Sequence, residues 1–214
     1  MAEMRTDPGT AEAGGRAPRP LGASEREAAA QALVRAFWDD PLMTYIWPSD
    51  ALRRTLLPIF MRGAIQLAAP QRETFTAEPD PVGAALWLPP GKAKIPVPTV
   101  LRILAPNIWR WRPGPLIRFM RVLDELDRKH IKYDHWYLMV LGVDPPKQGQ
   151  GYGALLMSDV LRRADEQGLE AYLETQKARN VPFYEKHGFA VVEHFHVDKG
   201  RGPESWTMLR KPRA

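Results

Sequence analysis

A long apolar run ending in a glycine-rich turn constrains this chain more than any other feature. His135–Val143 reads HWYLMVLGV and is the most apolar stretch of the sequence. Nine residues without clear alternation describe a strand covered on both faces. Asp144-Pro145-Pro146-Lys147 then turns the chain, and Gln148-Gly149-Gln150-Gly151-Tyr152-Gly153 follows. The next segment has helical spacing to about Gln167 and stops at Gly168. Glu170–Thr175 reads as another strand. A strand–helix–strand unit at 135–175 implies a parallel pair. Glycines at its turn let backbone N–H groups face a ligand with no Cβ in the way, and the helix start adds partial positive charge. The expectation is an anion cradle, typically for phosphate.

The flanking segments complete a mixed αβ order. Ser24-Glu25-Arg26-Glu27 has the S-x-x-E spacing of a capping box. It predicts a helix to about Phe37, with Ala28, Leu33, Val34 and Phe37 inward. Asp39-Asp40-Pro41 ends that helix. A second helix is expected from about Ser49 to Leu67, with Pro58 as a candidate kink. Glu73–Ala77 and Val82–Leu88 read as strands on either side of a turn at Glu78-Pro79-Asp80. Residues 92–114 are Pro-broken and basic, and Leu116, Phe119, Met120, Leu123 and Leu126 have helical spacing. Asn180–His187 predicts a short helix ended by Gly188, and Phe189–Val197 with Ser205–Leu209 a closing hairpin. Residues 1–20 are expected to form a flexible tail with a short strand near Arg16–Leu21. That leaves one domain over 21–214.

Composition removes several chemistries. The chain has no cysteine, so disulfides, thiolate metal sites and a covalent Cys intermediate are excluded. That suits a reducing cytoplasm, the expected location. No apolar run reaches 18 residues, and the first residues lack the layout of a secretion signal. Net charge is +5, and residues 91–130 alone hold nine Lys/Arg against three acids. Such a surplus serves an acidic cofactor, a membrane, RNA, or solvated helix surface. Arg110-Trp111-Arg112 suits base stacking, and Leu116–Leu126 suits a membrane surface. Together they define an alternative reading, a non-catalytic acyl-CoA-binding domain with a basic partner surface. His194 and His196 share a strand face, but no third ligand is spaced nearby, so no metal site is expected.

Among phosphate binders, a Walker loop fails because the only Gly-Lys, Gly91-Lys92, is followed by Ala93. A dinucleotide fingerprint is formally matched by Gly149, Gly151 and Ala154, with Glu170 or Glu174 as the ribose acid. Five residues, Asp144–Gln148, separate strand from first glycine, where that fold allows almost none.

Q-x-x-G-x-G after Val143-Asp144-Pro145 resembles the pyrophosphate loop of the GNAT superfamily of N-acetyltransferases. Leu173-Glu174-Thr175 and the order Asn180, Tyr184, Gly188-Phe189 look like its cofactor-side motifs. AYLET, ARNVPFYEKHGF and ESWTMLRKP are similar to enzymes of the puromycin N-acetyltransferase type. The resemblance implies an α+β (mixed αβ) fold: a central mixed, mostly antiparallel sheet, splayed between two parallel strands and flanked by helices. Acetyl-CoA would lie in the gap, against the backbone of Leu141, Gly142 and Val143 as an added strand. Gln148, Gly149, Gln150, Gly151, Tyr152, Gly153 and Ala154 would bind the pyrophosphate, and Asn180 the cofactor arm. Lys147, Lys177 and Arg179 would either help with phosphates or be solvated surface. Tyr184, one helical turn from Asn180, is the implied general acid toward the CoA sulfur. Glu174 is the candidate base, or else a structural carboxylate at the splay.

The implied reaction is direct transfer of an acetyl group, in a ternary complex, to a primary amine of an antibiotic- or metabolite-like small molecule. Acetylation of protein N-termini or lysines is the alternative within that chemistry. The acceptor site is expected from Asp39, Asp40, Tyr45 and Trp47, the 92–130 insertion, the final hairpin and His135 at the substrate end. No nucleic-acid or membrane partner is expected, and monomer and homodimer stay open.

Overall fold

In this computed structural model, residues 17–71, 73–77, 81–93 and 112–213 are described, with the single positions 99 and 110. The tail before residue 17, the turn at 78–80 and most of 94–111 lie outside the described residues. Seven strands form one sheet in the order β1-β2-β3-β4-β5-β7-β6. They are β1 Pro18–Pro20, β2 Thr74–Ala77, β3 Gly83–Leu88, β4 Trp136–Val143, β5 Ala171–Thr175, β6 Phe189–His196 and β7 Glu204–Arg210. Only β4 and β5 run parallel; every other neighbouring pair is antiparallel. Among the described residues the α-helices are α1 Arg26–Ala36, α2 Pro41–Ile46, α3 Asp50–Ala68, α4 Pro113–Lys129, α5 Tyr152–Glu166 and α6 Val181–Lys186. This is the mixed α+β architecture expected.

Alternation along β3 sorts the core into two layers. Ala84, Leu86 and Leu88 pack with α1, α2, α3 and α4. Ala85 and Trp87 face the other way, onto α5 and α6. On β4 the alternation slips once. Leu138 pairs with Trp87, but Val140 pairs with the next residue, Leu86, so Met139 is one residue extra. Met139 and Val140 consequently point to the same layer. The run HWYLMVLGV shows no polar–apolar alternation because both faces are covered, and the bulge breaks the alternation of faces once. Bulges bend a strand and end pairing. Here the slip falls directly after the last β4–β5 pair, Leu138 with Leu173. Beyond it β4 diverges, and Glu174 and Thr175 pair only with β7. The sheet is therefore open as a V between residues 139–143 and 174–175.

Several local expectations need correction. The Ser24–Glu27 capping box does not form. Instead Glu25, held by Arg19 at 2.6 and 2.7 Å, accepts from the Gly22 N–H at 3.0 Å. Glu27 turns outward to Arg62 on α3. Ala28 is exposed, and Ala29, Ala30, Ala32 and Leu33 are the buried residues of α1. The short α2 was missed. Asp40 starts it by accepting from the N–H groups of Leu42 and Met43, with Pro41 at the first helical position. The helix α3 continues through Pro58.

Candidate active site

The first wall of the site is main chain. The Asp144 N–H bonds the Val82 carbonyl at 2.7 Å. Antiparallel alternation then aims the N–H and C=O of Gly142 at β3, and those of Leu141 and Val143 into the gap. The free edge expected from three residues is thus offered by Leu141 and Val143. Gly142 has another task. A Cβ there would lie 2.6 Å from Leu33 Cδ2 and 2.9 Å from Phe37 Cε2, so only a bare residue lets α1 lie on the strand.

The loop follows. Gln148 Nε2 donates to the Val143 carbonyl at 2.9 Å and ties loop to strand. Gly149 and Gly151 take φ of +74° and +82°, a region costly for other residues. Gly151 is the N-cap of α5 and makes no side-chain cap bond. The N–H groups of the first turn of α5 point out of the helix at this end, where it carries partial positive charge. They border a cleft of about 450 Å³, walled by Gln148, Gly149, Gly151, Tyr152 and Gly153, with Lys147, Lys177 and Arg179 beside them. Gln150 and Ala154, also expected there, are not among its walls. Gln150 Nε2 turns back to the Pro146 carbonyl at 3.1 Å, and Ala154 sits further along α5.

A second cavity of about 230 Å³ opens on the other side of the V. Its walls are mostly apolar: Met43 and Ile46 from α2, Phe60 from α3, Phe119 and Leu126 from α4, and Tyr137 from β4. Glu174 is among its few polar walls. The two cavities share Phe37, Asp40, Leu141, Asn180 and Tyr184, so they meet at those residues.

At the junction Tyr184 is 6% exposed and packs edge-on against Phe183 and Phe189. Burial first, and the Asp40 carboxylate second, push its phenol up. It therefore stays protonated at neutral pH and has a proton to donate. Burial also pushes the Asp40 carboxyl up, against the pull of Lys177 and of two backbone N–H groups. Asn180 caps nothing with its side chain at the start of α6.

The other acceptor candidates sit elsewhere. Asp39 is exposed and bonds Lys177 Nζ at 2.8 Å, which holds its carboxyl below the usual range and fixes a basic group of the larger cleft. Tyr45 donates to Asp198 at 2.6 Å. Trp47 is wholly buried, edge-on to Phe60. His135 is 2% exposed, behind Glu174. Of the expected segments, α4 contributes walls to the smaller cavity, whereas no residue of β6 or β7 lines either one. Sequence reasoning missed Phe37, Phe60 and His130. The first two read as ordinary helix-core positions, and His130 carries no motif. Glu174 is not bonded to backbone: its Oε1 lies 3.2 Å from His130 Nδ1. Among the described residues no group of three His, Asp or Glu side chains is placed to hold a metal ion.

A model of the acetyltransferase (GNAT) family matches residues 30–189, which span both cavities. The chain belongs to that family. It is an acetyl-CoA-dependent acetyltransferase, and the dinucleotide and non-catalytic readings fall away. An uncharacterised N-acetyltransferase of Schizosaccharomyces pombe is 28% identical over 212 residues, covering 92% of this chain and 83% of that protein. A solved Corynebacterium glutamicum structure, described as histone acetyltransferase HPA2 and related acetyltransferase, superposes with a TM-score of 0.63. Its identity is 22%, covering 93% of this chain and 97% of that one. Arylalkylamine N-acetyltransferase 2 of Aedes aegypti superposes at 0.65 with 13% identity, over 94% and 100% of the two chains. These structural likenesses carry the fold. The particular likeness to puromycin-acetylating enzymes has no counterpart among these relatives. No helix among the described residues is long and apolar enough to cross a membrane.

Proposed function

We propose that this acetyltransferase transfers the acetyl group directly from acetyl-CoA to a primary amine carried on an apolar body. The observation that carries the reading is the meeting of two unlike cavities at Tyr184 and Asn180. The basic, glycine-walled cleft suits a pyrophosphate with the pantetheine arm laid along Leu141 and Val143. The smaller cavity suits an aromatic or alkyl group, with Asp40 and Glu174 to draw the ammonium toward the junction. Glu174 is the base that frees the nitrogen lone pair. The amine attacks the thioester carbonyl, the C–S bond breaks, and Tyr184 protonates the leaving sulfur. A positioned acid of this kind contributes about 10²–10⁴-fold. With no cysteine in the chain, an acyl-Cys intermediate is excluded, which favours a ternary complex. Segments such as ARNVPFYEKHGF support a relationship to puromycin-type enzymes on the cofactor side only, so that drug is not assigned as substrate. The same cysteine-free sequence supports a cytoplasmic setting.

The test is thiol release from acetyl-CoA, followed with DTNB, across three acceptor classes. Phenylalkyl- and alkylamines are expected to outrun polyamines and lysine or N-terminal peptides by at least tenfold in kcat/KM. Preference for a peptide would replace this reading with protein acetylation.

A further inference from the structure

The tip of the β6–β7 hairpin holds a buried acid, Asp198, that lines neither cavity. Asp198 and Lys199 take φ of +52° and +55°. Residues other than glycine adopt that region at a cost, and two in succession persist only where their surroundings hold them. Asp198 is held from three sides. Tyr45 on α2 donates to its Oδ2 at 2.6 Å, Arg201 of the same turn donates to Oδ1 at 2.6 Å, and Arg121 Nη1 on α4 lies 4.0 Å from Oδ2. Burial pushes the Asp198 carboxyl up, but Tyr45 and Arg201 outweigh it and hold the group below the usual range. It is therefore a carboxylate at neutral pH. Tyr45 keeps its proton, because burial and then Asp198 push the phenol up.

What these partners share is the smaller cavity. The helix α4 carries two stripes. Phe119, Val122 and Leu126 face the cavity. Arg121, Glu125 and Lys129, each four residues from the next, face the hairpin. Arg121 points to Asp198, Glu125 accepts from the Lys199 N–H at 3.1 Å, and Lys129 pairs with Glu193 of β6. The helix α2 divides likewise: Met43 and Ile46 line the cavity, and Tyr45 turns to the hairpin. Arg118 of α4 joins the two helices, donating to the Ile46 carbonyl at 3.2 Å and lying over the Tyr45 ring. Apolar contact is non-directional, whereas hydrogen bonds to a buried carboxylate are short and aimed, so they fix where a helix lies. The hairpin tip therefore grips the outer faces of two helices whose inner faces are cavity walls.

We propose that Asp198 is a positioning residue for the acceptor: it sets how tightly α2 and α4 close on the smaller cavity, and so the widest amine that the cavity admits. This rests on the reading of that cavity as the acceptor site. Without the carboxylate, Tyr45 loses its partner, and the like charges of Arg121 and Arg201 lose the anion they share. The two left-handed residues lose what holds them, and the wall loosens outward. In an apolar pocket one methylene decides selectivity by about 10–200-fold, so a small outward shift is enough to admit a larger body. The glycine loop and the β4 edge share none of the Asp198 ties, so the effect falls on the acceptor side alone.

Selectivity of the full chain tests this. The readout is the ratio of kcat/KM for 2-phenylethylamine to that for 2,2-diphenylethylamine, which is wider at the same chain length. Any loss of folded enzyme lowers both rates alike and cancels. In Asp198→Ala the ratio should fall about tenfold, chiefly through a lower KM for the wider amine, with acetyl-CoA affinity within about twofold of the parent. Tyr45→Phe cuts the α2 tie alone and keeps the ring. Asp198→Asn keeps an acceptor for Tyr45 and tolerates the left-handed backbone. Both should lower the ratio about threefold, so the test stands even if the alanine variant fails to fold. A second arm needs no acceptor. Amide hydrogen exchange in Asp198→Asn should quicken along α4 and keep the parent rates along α5. A ratio within about twofold of the parent in both conservative variants would overturn the proposal. So would exchange that quickens in α4 and α5 alike, the mark of a merely structural turn. A parent enzyme that acetylates neither amine would remove the acceptor reading of the cavity, and with it the link to specificity, whereas the exchange arm would still show whether Asp198 holds α4.

Discussion

The two cavities meet at Tyr184 yet are built from different materials. The cleft proposed for the cofactor is built largely on main chain: a strand edge, two glycines and the start of α5, with lysine and arginine around it. The cavity proposed for the acceptor is made mostly of side chains, contributed by α2, α3, α4, β4 and β5. Main-chain groups stay in place whatever side chains surround them, so the cleft is generic. The cavity is a packing solution that any of its residues can change, so on the proposed reading it is where specificity would lie. Mutations on the two sides should therefore separate cleanly, and those at the junction should not.

The largest effect is expected at the junction. Tyr184→Phe removes one hydroxyl and keeps the ring that packs against Phe183 and Phe189. Steady-state rates should show kcat lowered by about 10²-fold, or about 2.7 kcal/mol, with little change in acetyl-CoA affinity. An acyl donor with a more acidic leaving thiol should recover much of the loss. A rate close to that of the parent enzyme would take the acid role from Tyr184. Next comes the cleft. Gly151→Glu places a charge in the anion cradle and a side chain at φ +82°. Calorimetry should show acetyl-CoA binding weakened more than tenfold, about 1.4 kcal/mol. An affinity within twofold of the parent would mean that the loop does not hold the pyrophosphate. On the acceptor side, Leu126→Ala should raise KM for an apolar amine roughly fivefold, about 1 kcal/mol for the lost contact, and leave acetyl-CoA affinity unchanged. If cofactor affinity moved as well, the two sides would not be separable.

The smallest effect is remote from both. Arg62 and Gln31 hold the Glu27 carboxyl down to about 2, from 4.5. A lowered carboxyl stabilises the fold at pH above its unfolded value and loses that contribution as pH falls from 4.5 toward 2. The Arg62–Glu27 pair joining α1 to α3 is about half exposed on each side, so only about 0.5 kcal/mol is expected. Urea midpoints of Glu27→Gln and parent should differ slightly at pH 7 and converge near pH 2.

The same contrast decides what could be read in advance. The cleft was legible because its parts are consecutive and chemically coded. Glycines at 149, 151 and 153, then Asn180 and Tyr184 one helical turn apart, mark positions whose backbone or spacing matters. The cavity was not, because Phe60, Phe119 and Leu126 look like any other apolar helix residue until the helices are packed. Tyr45 and Trp47 were drawn to the acceptor site by proximity in sequence to Asp40. In three dimensions α2 sends Tyr45 to Asp198 and buries Trp47 against Phe60. Asp40 itself does reach the junction, because its role as helix cap fixes it there. His130 was unreadable since its importance depends on partners 5 and 44 residues away.

Met139 makes the contrast a matter of chain length. Its place as the extra residue of β4 means that Tyr137 and Leu138 below, and Val140 and Leu141 above, would keep their faces if Met139 were deleted. The alternation of faces along the strand would even become regular. What would go is the bend, and with it the reason for β4 to part from β5. A one-codon deletion should thus yield a well-formed sheet that has closed over the proposed cofactor site. In the history of such a chain, a gap of one residue is more dangerous to activity than most substitutions, and a survey of folded variants would not notice it.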